Sequence, residues 1–169
     1  MRHISDFLDQ QLTWVQPRAL RRQYVLQAGD EHIATLRFRG LFGSHATGES
    51  GDGCWAFSRV RSKVTVRACG TDVDIAVFKN RGWKNGGALE FPDGRQIHAA
   101  ANIWGTQYVF KTETGQVLFQ IKKRGVMPWF VRLKATLSIA PAAANVPGLS
   151  WLVLSGWYLM VVMLEERRT

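Results

Sequence analysis

Leu149-Ser150-Trp151-Leu152-Val153-Leu154-Ser155-Gly156-Trp157-Tyr158-Leu159-Met160-Val161-Val162-Met163-Leu164 carries no charged side chain, and the uncharged stretch reaches back to Ala135. The run shows no 3.6-residue alternation of apolar and polar positions. A helix built from it is oily all round and must be enclosed by protein or by lipid. At about 1.5 Å per residue it reaches roughly 24 Å, short of the roughly 30 Å hydrocarbon core that takes about 20 apolar residues to cross. Asn145 is a good N-cap and Pro147 suits a first turn, so the helix is expected to start between Val146 and Leu149. Glu165, Glu166, Arg167 and Arg168 are expected to end it, and residues 146–165 are assigned to it. The length favours burial in protein. A tail-anchored membrane span is the alternative.

Outward from this run, the chain is of single-domain length at 169 residues, with 1–22 read as an N-terminal lead-in. A hydrophobic fraction of 46%, with seven Trp and nine Phe, argues against disorder. Lys and Arg number 22 against 13 Asp and Glu, a formal charge of +9, which suits an anionic partner. Asp6 and Asp9 stand where a signal peptide would need its apolar core, so a cytoplasmic chain, peripheral at the inner membrane surface, is the expectation.

Turn signals recur at Ala28-Gly29-Asp30, Gly51-Asp52-Gly53, Arg61-Ser62, Gly70-Thr71-Asp72, Asn85-Gly86-Gly87, Pro92-Asp93-Gly94, Gly105, Thr114-Gly115 and Arg124-Gly125. After the first, the spacing is close to roughly ten residues, the signature of an antiparallel meander, sandwich or barrel. Between the turns, period-two alternation is plain. Ala34, Leu36 and Phe38 alternate with Thr35, Arg37 and Arg39; Val64, Val66 and Ala68 alternate with Lys63, Thr65 and Arg67. Val117, Phe119 and Ile121 alternate with Gln120 and Lys122, and Val131, Leu133 and Ala135 with Arg132 and Lys134. One face is oily and the other basic. About ten to twelve such strands would close into a barrel too wide for side chains alone to fill, and a helix about 10 Å across, apolar on every side, is a suitable plug. The expected fold is therefore mainly β: a closed antiparallel β-barrel around a buried hydrophobic C-terminal helix.

In that order of features the chain resembles the tubby C-terminal-like superfamily, and within it the LURP-one-related and phospholipid-scramblase-like proteins. The features are Tyr24-Val25-Leu26, Ile33-Ala34-Thr35-Leu36-Arg37-Phe38, the glycine-rich Gly48-Glu49-Ser50-Gly51-Asp52-Gly53-Cys54-Trp55, the Asp93-Gly94-Arg95 turn and the terminal helix. The resemblance implies a barrel closed around a hydrophobic helix. It also implies a role in handling lipid, since tubby proper binds phosphoinositide head groups through exterior basic residues. The outward candidates here are Arg37, Arg39, Lys63, Arg67, Lys122, Lys123, Arg124, Arg132 and Lys134. None matches a tubby motif residue by residue, so the carry-over is of an exterior basic patch for anionic phospholipid or phosphoinositide-like head groups. Scramblase-like relatives carry an acidic calcium segment before the terminal helix. Ala140-Pro141-Ala142-Ala143-Ala144-Asn145-Val146-Pro147 has no carboxylate there, which argues against calcium-triggered scrambling.

Catalysis needs acids, bases or nucleophiles that converge, and the inventory is thin. His3, His32, His45 and His98 have no metal-ligand spacing, and Asp72 and Asp74 follow a turn where Asp serves the backbone. Gly82-Trp83-Lys84-Asn85-Gly86-Gly87 lacks the Gly-Lys-Ser/Thr ending of a phosphate loop. No enzyme activity, cofactor, metal or specific nucleic-acid partner is expected, and no protein partner is named. Cys54 and Cys69 are the only cysteines. A two-residue turn at Arg61-Ser62 would set Trp55 against Ala68 and Phe57 against Val66 and bring the two cysteines face to face. Facing cysteines have the geometry to bridge, but a reducing compartment favours two free thiols.

Overall fold

A computed structural model describes residues 2–80, 86–102, 104–124 and 132–166. The phosphate-loop look-alike at 82–85, Gly125, Val131 and the Arg167–Arg168 pair lie outside the described residues.

Short alternating runs between turn residues make twelve antiparallel strands: β1 (Leu12–Val15), β2 (Gln23–Ala28), β3 (Glu31–Phe38), β4 (Ala46–Ser50), β5 (Gly53–Val60), β6 (Lys63–Ala68), β7 (Asp74–Asn80), β8 (Gly87–Glu90), β9 (Gln96–Ala101), β10 (Gln107–Thr112), β11 (Val117–Lys123) and β12 (Lys134–Ile139). Each pairs with its neighbour in sequence, and β1 pairs with β12, Leu12 opposite Leu137 and Val15 opposite Lys134, so the barrel is closed. Closure removes the free sheet edge. Residues 1–22, read as a lead-in, thus supply the closing strand.

The oily run is the helix α1 (Leu149–Glu166), and it runs through the barrel's interior. Its length and composition would let it cross a membrane, but 89% of it is buried inside the barrel. The span alternative therefore has no lipid-facing surface to use. Trp157 stacks on Trp14 of β1 with ring centroids 5.3 Å apart. Tyr158 lies between Phe38 and Phe57, each at 5.4 Å, and its hydroxyl donates to the Ser44 carbonyl. At Gly156 the helix comes so close to the wall that a Cβ would stand 2.9 Å from the Phe119 ring.

Several details differ from the sequence reading. Asn145 does not cap α1; it ends a 3-10 helix, Pro141–Asn145. The chain then turns through Gly148 at φ +78°, a left-handed conformation that only glycine adopts without strain, and α1 begins at Leu149. Glu165 and Glu166 are inside the helix. Val117 is exposed, because a register shift between Phe110 and Lys111 turns Leu118 and Phe119 both inward.

The β5–β6 register is the one expected, Trp55 opposite Ala68 and Phe57 opposite Val66, closed by Arg61 and Ser62. The free-thiol expectation is overturned. Cys54 and Cys69 form a disulfide across Cα atoms 5.4 Å apart, and the Cys69 amide donates to the Cys54 carbonyl. Both cysteines take the outward parity of the hairpin, and the pairing register sets them face to face. Denatured, unreduced protein should show no free thiol in a thiol-counting assay. Reduction should lower the unfolding free energy by at most about 3 kcal/mol in a denaturant titration, the figure for a loop of this length.

Burial also marks the tyrosines. It pushes the Tyr158 hydroxyl up to about 12, its hydrogen bond to Ser44 opposing, and raises Tyr108 in the same direction. Because the folded state holds the proton more tightly than the unfolded chain, this contribution to stability is complete below the ordinary tyrosine value. It is lost as pH climbs toward 12. At about pH 11 the phenolate absorbance band should report Tyr108 and Tyr158 as un-ionised in folded protein and ionised after guanidinium unfolding.

Candidate functional site

Antiparallel topology sorts the loops onto two ends. The β1–β2, β3–β4, β5–β6, β9–β10 and β11–β12 connections share one end with the C-terminus of α1; the β2–β3, β4–β5, β6–β7, β8–β9 and β10–β11 turns share the other with its N-terminus. The charges follow this division. Asp30, Asp52, Asp72, Asp93 and Glu113 sit in the second set of turns, with Glu31, Glu49, Asp74 and Glu90 on adjoining strand positions and Asp6 and Asp9 just ahead of β1. At the first end the carboxylates are Glu165 and Glu166 alone, and both are paired: Arg22 forks onto Glu165 at 2.8 and 3.0 Å, and Arg59 bridges to Glu166.

The sequence candidates fall unevenly onto this frame. Arg37, Arg39, Lys63, Lys122, Lys123, Arg124, Arg132 and Lys134 all lie at or near the basic end. Arg67 does not: it sits at the acidic end and is tied to Asp74 at 2.6 Å, which raises its pKa by hydrogen bonding and charge. Lys123 is half-buried at the rim, with inward strand parity. Alternation shows which residues face out but not which share a patch. In the barrel, Arg37 and Arg39 lie on the β3–β4 wall, Lys63 on β6, and the remaining candidates around β11 and β12.

The densest group surrounds a groove of about 510 Å³ on the β10–β11–β12 wall. Lys122, Lys123 and Arg124 line it together with Gln11, Gln107, Gln120, Thr136 and Ser138. Gln107 donates its side-chain amide to Gln120 at 2.9 Å, and the Arg124 backbone amide donates to the Lys134 carbonyl at 2.9 Å, which joins the start of β12 to this cluster. Cationic donors beside amides and hydroxyls suit phosphate oxygens. A smaller recess of about 290 Å³ holds Arg37 and Arg39 with Thr35, Thr47 and Glu49.

Sequence reasoning missed Arg18, Arg21, Arg22, Arg59 and Arg61 at the same end. The signal was available, because a barrel of antiparallel hairpins places alternate loops together, but it requires knowing the strand count. The helix dipole has the same sense as the charge separation: its negative C-terminus meets the basic end, and its positive N-terminus meets Asp52. Partial burial would raise the Asp52 pKa, but hydrogen bonds from Ser50 and Ser150 outweigh it and hold the carboxyl below its ordinary value. Among the described residues, no group of three or more His, Cys, Asp or Glu stands together as metal ligands would.

The chain is similar to a solved structure. A crystal structure of a protein from Arabidopsis thaliana superposes with a TM-score of 0.60 over 98% of this chain and 96% of that one, at 9% sequence identity. The two chains share this barrel fold. At this identity the likeness is one of architecture alone. No protein-family model matches the sequence, and no curated protein aligns with it significantly.

Proposed function

We propose that this chain is a non-enzymatic binding module that adsorbs to anionic phospholipid surfaces through its basic end, head groups of the phosphoinositide kind included. The observation that carries the reading is the charge division. A net charge of +9 spread evenly would serve solubility, but here every carboxylate except the paired Glu165 and Glu166 lies toward one end, and Arg2, Arg67 and Arg95 there are neutralised by Glu31, Asp74 and Asp93. The cationic end is left to act as a unit. Each basic residue held near an anionic bilayer is worth about 1 kcal/mol. The groove beside Lys122 and Arg124, about 510 Å³ in volume, has room for a phosphorylated head group. The cytoplasmic face of a membrane, rich in anionic lipid, is the proposed location; there the exposed Cys69 leaves the disulfide open to reduction.

Cosedimentation with vesicles tests the proposal. Phosphatidylserine vesicles should take up the protein at low salt and release most of it as salt shortens the screening length, whereas phosphatidylcholine vesicles should not. Replacing Lys122, Arg124 and Lys134 together by Ala should weaken binding about a hundredfold, the sum of three such charges, with an unchanged circular dichroism spectrum. Equal sedimentation with neutral and acidic vesicles would contradict the reading.

A further inference from the structure

Large apolar side chains are exposed at the tips of this same end. Leu20 lies in the β1–β2 loop, Leu41 and Phe42 in the β3–β4 loop, Val60 beside the β5–β6 turn and Trp104 in the β9–β10 loop, all more than two-thirds exposed and Phe42 88% exposed. At the acidic end, among the described residues, only Val73 is exposed to this degree. Single exposed apolar residues are ordinary on a protein surface; what is unusual is the placement. The first three connections are consecutive along one arc of the rim, and the β9–β10 loop is across the barrel from β3–β4. The tips thus stand on opposite sides of one end of the barrel. Arg18, Arg21, Arg39 and Arg61 stand in the first three of these connections, so on that arc apolar tips and cations share the same loops. Trp favours the level of the head groups, where its ring is part buried and part wet.

Charge complementarity selects the occupant. A protein partner with a matching surface would need acidic groups opposite each arginine and pockets for each tip, whereas an anionic bilayer offers both over its whole plane: phosphates at the surface and hydrocarbon just beneath. We infer that the barrel docks end-on to an anionic phospholipid bilayer and inserts the tips Leu20, Leu41, Phe42 and Trp104 to the acyl boundary, while the loop arginines engage phosphates. This rests on the anionic-surface reading above and adds to it an orientation and an inserted apolar surface. Arg22 and Arg59, tied to Glu165 and Glu166, join the β1–β2 loop and the end of β5 to the helix end.

The test uses the full chain, Leu41→Ser/Phe42→Ser double variant and vesicles of phosphatidylserine and phosphatidylcholine. Both replaced side chains are exposed, so the variant should fold as the original does by circular dichroism and thermal melting. Insertion requires the double variant to bind phosphatidylserine vesicles about tenfold or more weakly with the same salt dependence, because no charge has been removed. A Phe42→Trp variant should be quenched by lipids brominated near the top of the acyl chain more strongly than the original protein. If the double variant binds as tightly as the original and Phe42→Trp gains no quenching, the tips stay in water and the insertion is wrong, while head-group adsorption stands. Failure of the original protein to bind phosphatidylserine vesicles would overturn both readings.

Discussion

Leu154→Asp should leave no folded barrel. Leu154 is 0% exposed and packs so closely on β4 that a Cβ on Gly48 would stand 3.0 Å from its nearer methyl. Truncating a leucine in such a position costs about 3 to 5 kcal/mol through lost transfer energy and the cavity left behind. The aspartate adds a carboxylate with no cation near it in the middle of the core, a further penalty of several kcal/mol. Small domains are stable by about 5 to 15 kcal/mol, so the combined loss removes most or all of the margin. Soluble yield and the denaturant midpoint check it. Leu154→Met, which keeps volume and apolarity, should cost less than about 1.5 kcal/mol.

Ending the chain at residue 145 should have a still larger effect. α1 contributes Trp151, Leu152, Leu154, Trp157, Tyr158, Leu159, Met160 and Met163 to one continuous core, all buried. Each such side chain is worth about 1.5 to 3 kcal/mol when fully removed from water. Without the helix the inward faces of twelve strands would line a void, and interiors do not tolerate voids of that size. The truncated protein should aggregate, while the full chain stays soluble without detergent. A soluble, folded truncation product would mean that the barrel is filled in some other way.

Much of this architecture is legible in the sequence because it rests on periodicity. The Ala34–Phe38 and Lys63–Arg67 alternations read directly as strand faces, and the all-apolar run reads as an enclosed helix. The β5–β6 register followed from one two-residue turn. What escaped was set by geometry with no local signature. Gly148, not Asn145, governs entry into α1, because the chain must reverse sharply to re-enter the barrel and only a left-handed residue does that. Val117 faces solvent because a bulge shifts β11 by one position, and a one-residue slip exchanges the faces. The disulfide was missed although the facing register was legible, because the compartment argument was given more weight than the geometry.

The candidate site was half legible for a related reason. Outward parity marked Arg37, Arg39, Lys122 and Arg124 as exterior, but parity is a property of single strands, whereas a patch belongs to the closed sheet. Arg67 has the same parity as Lys63 and lies four residues away, yet it ends beside Asp74 at the opposite end of the barrel. Loop arginines such as Arg18, Arg21 and Arg61 have no strand parity at all. They join the group only when alternate connections are known to share one end.

That end-on arrangement is the centre of the account, and amide hydrogen exchange in the presence of phosphatidylserine vesicles tests it most directly. Binding should slow exchange in residues 16–22, 39–45 and 102–106, the loops of the basic end, and leave the turns around Asp30, Asp52, Asp72 and Asp93 exchanging as in free protein. Protection spread over the acidic turns, or confined to the barrel wall around Gln107, Gln120 and Thr136, would contradict it.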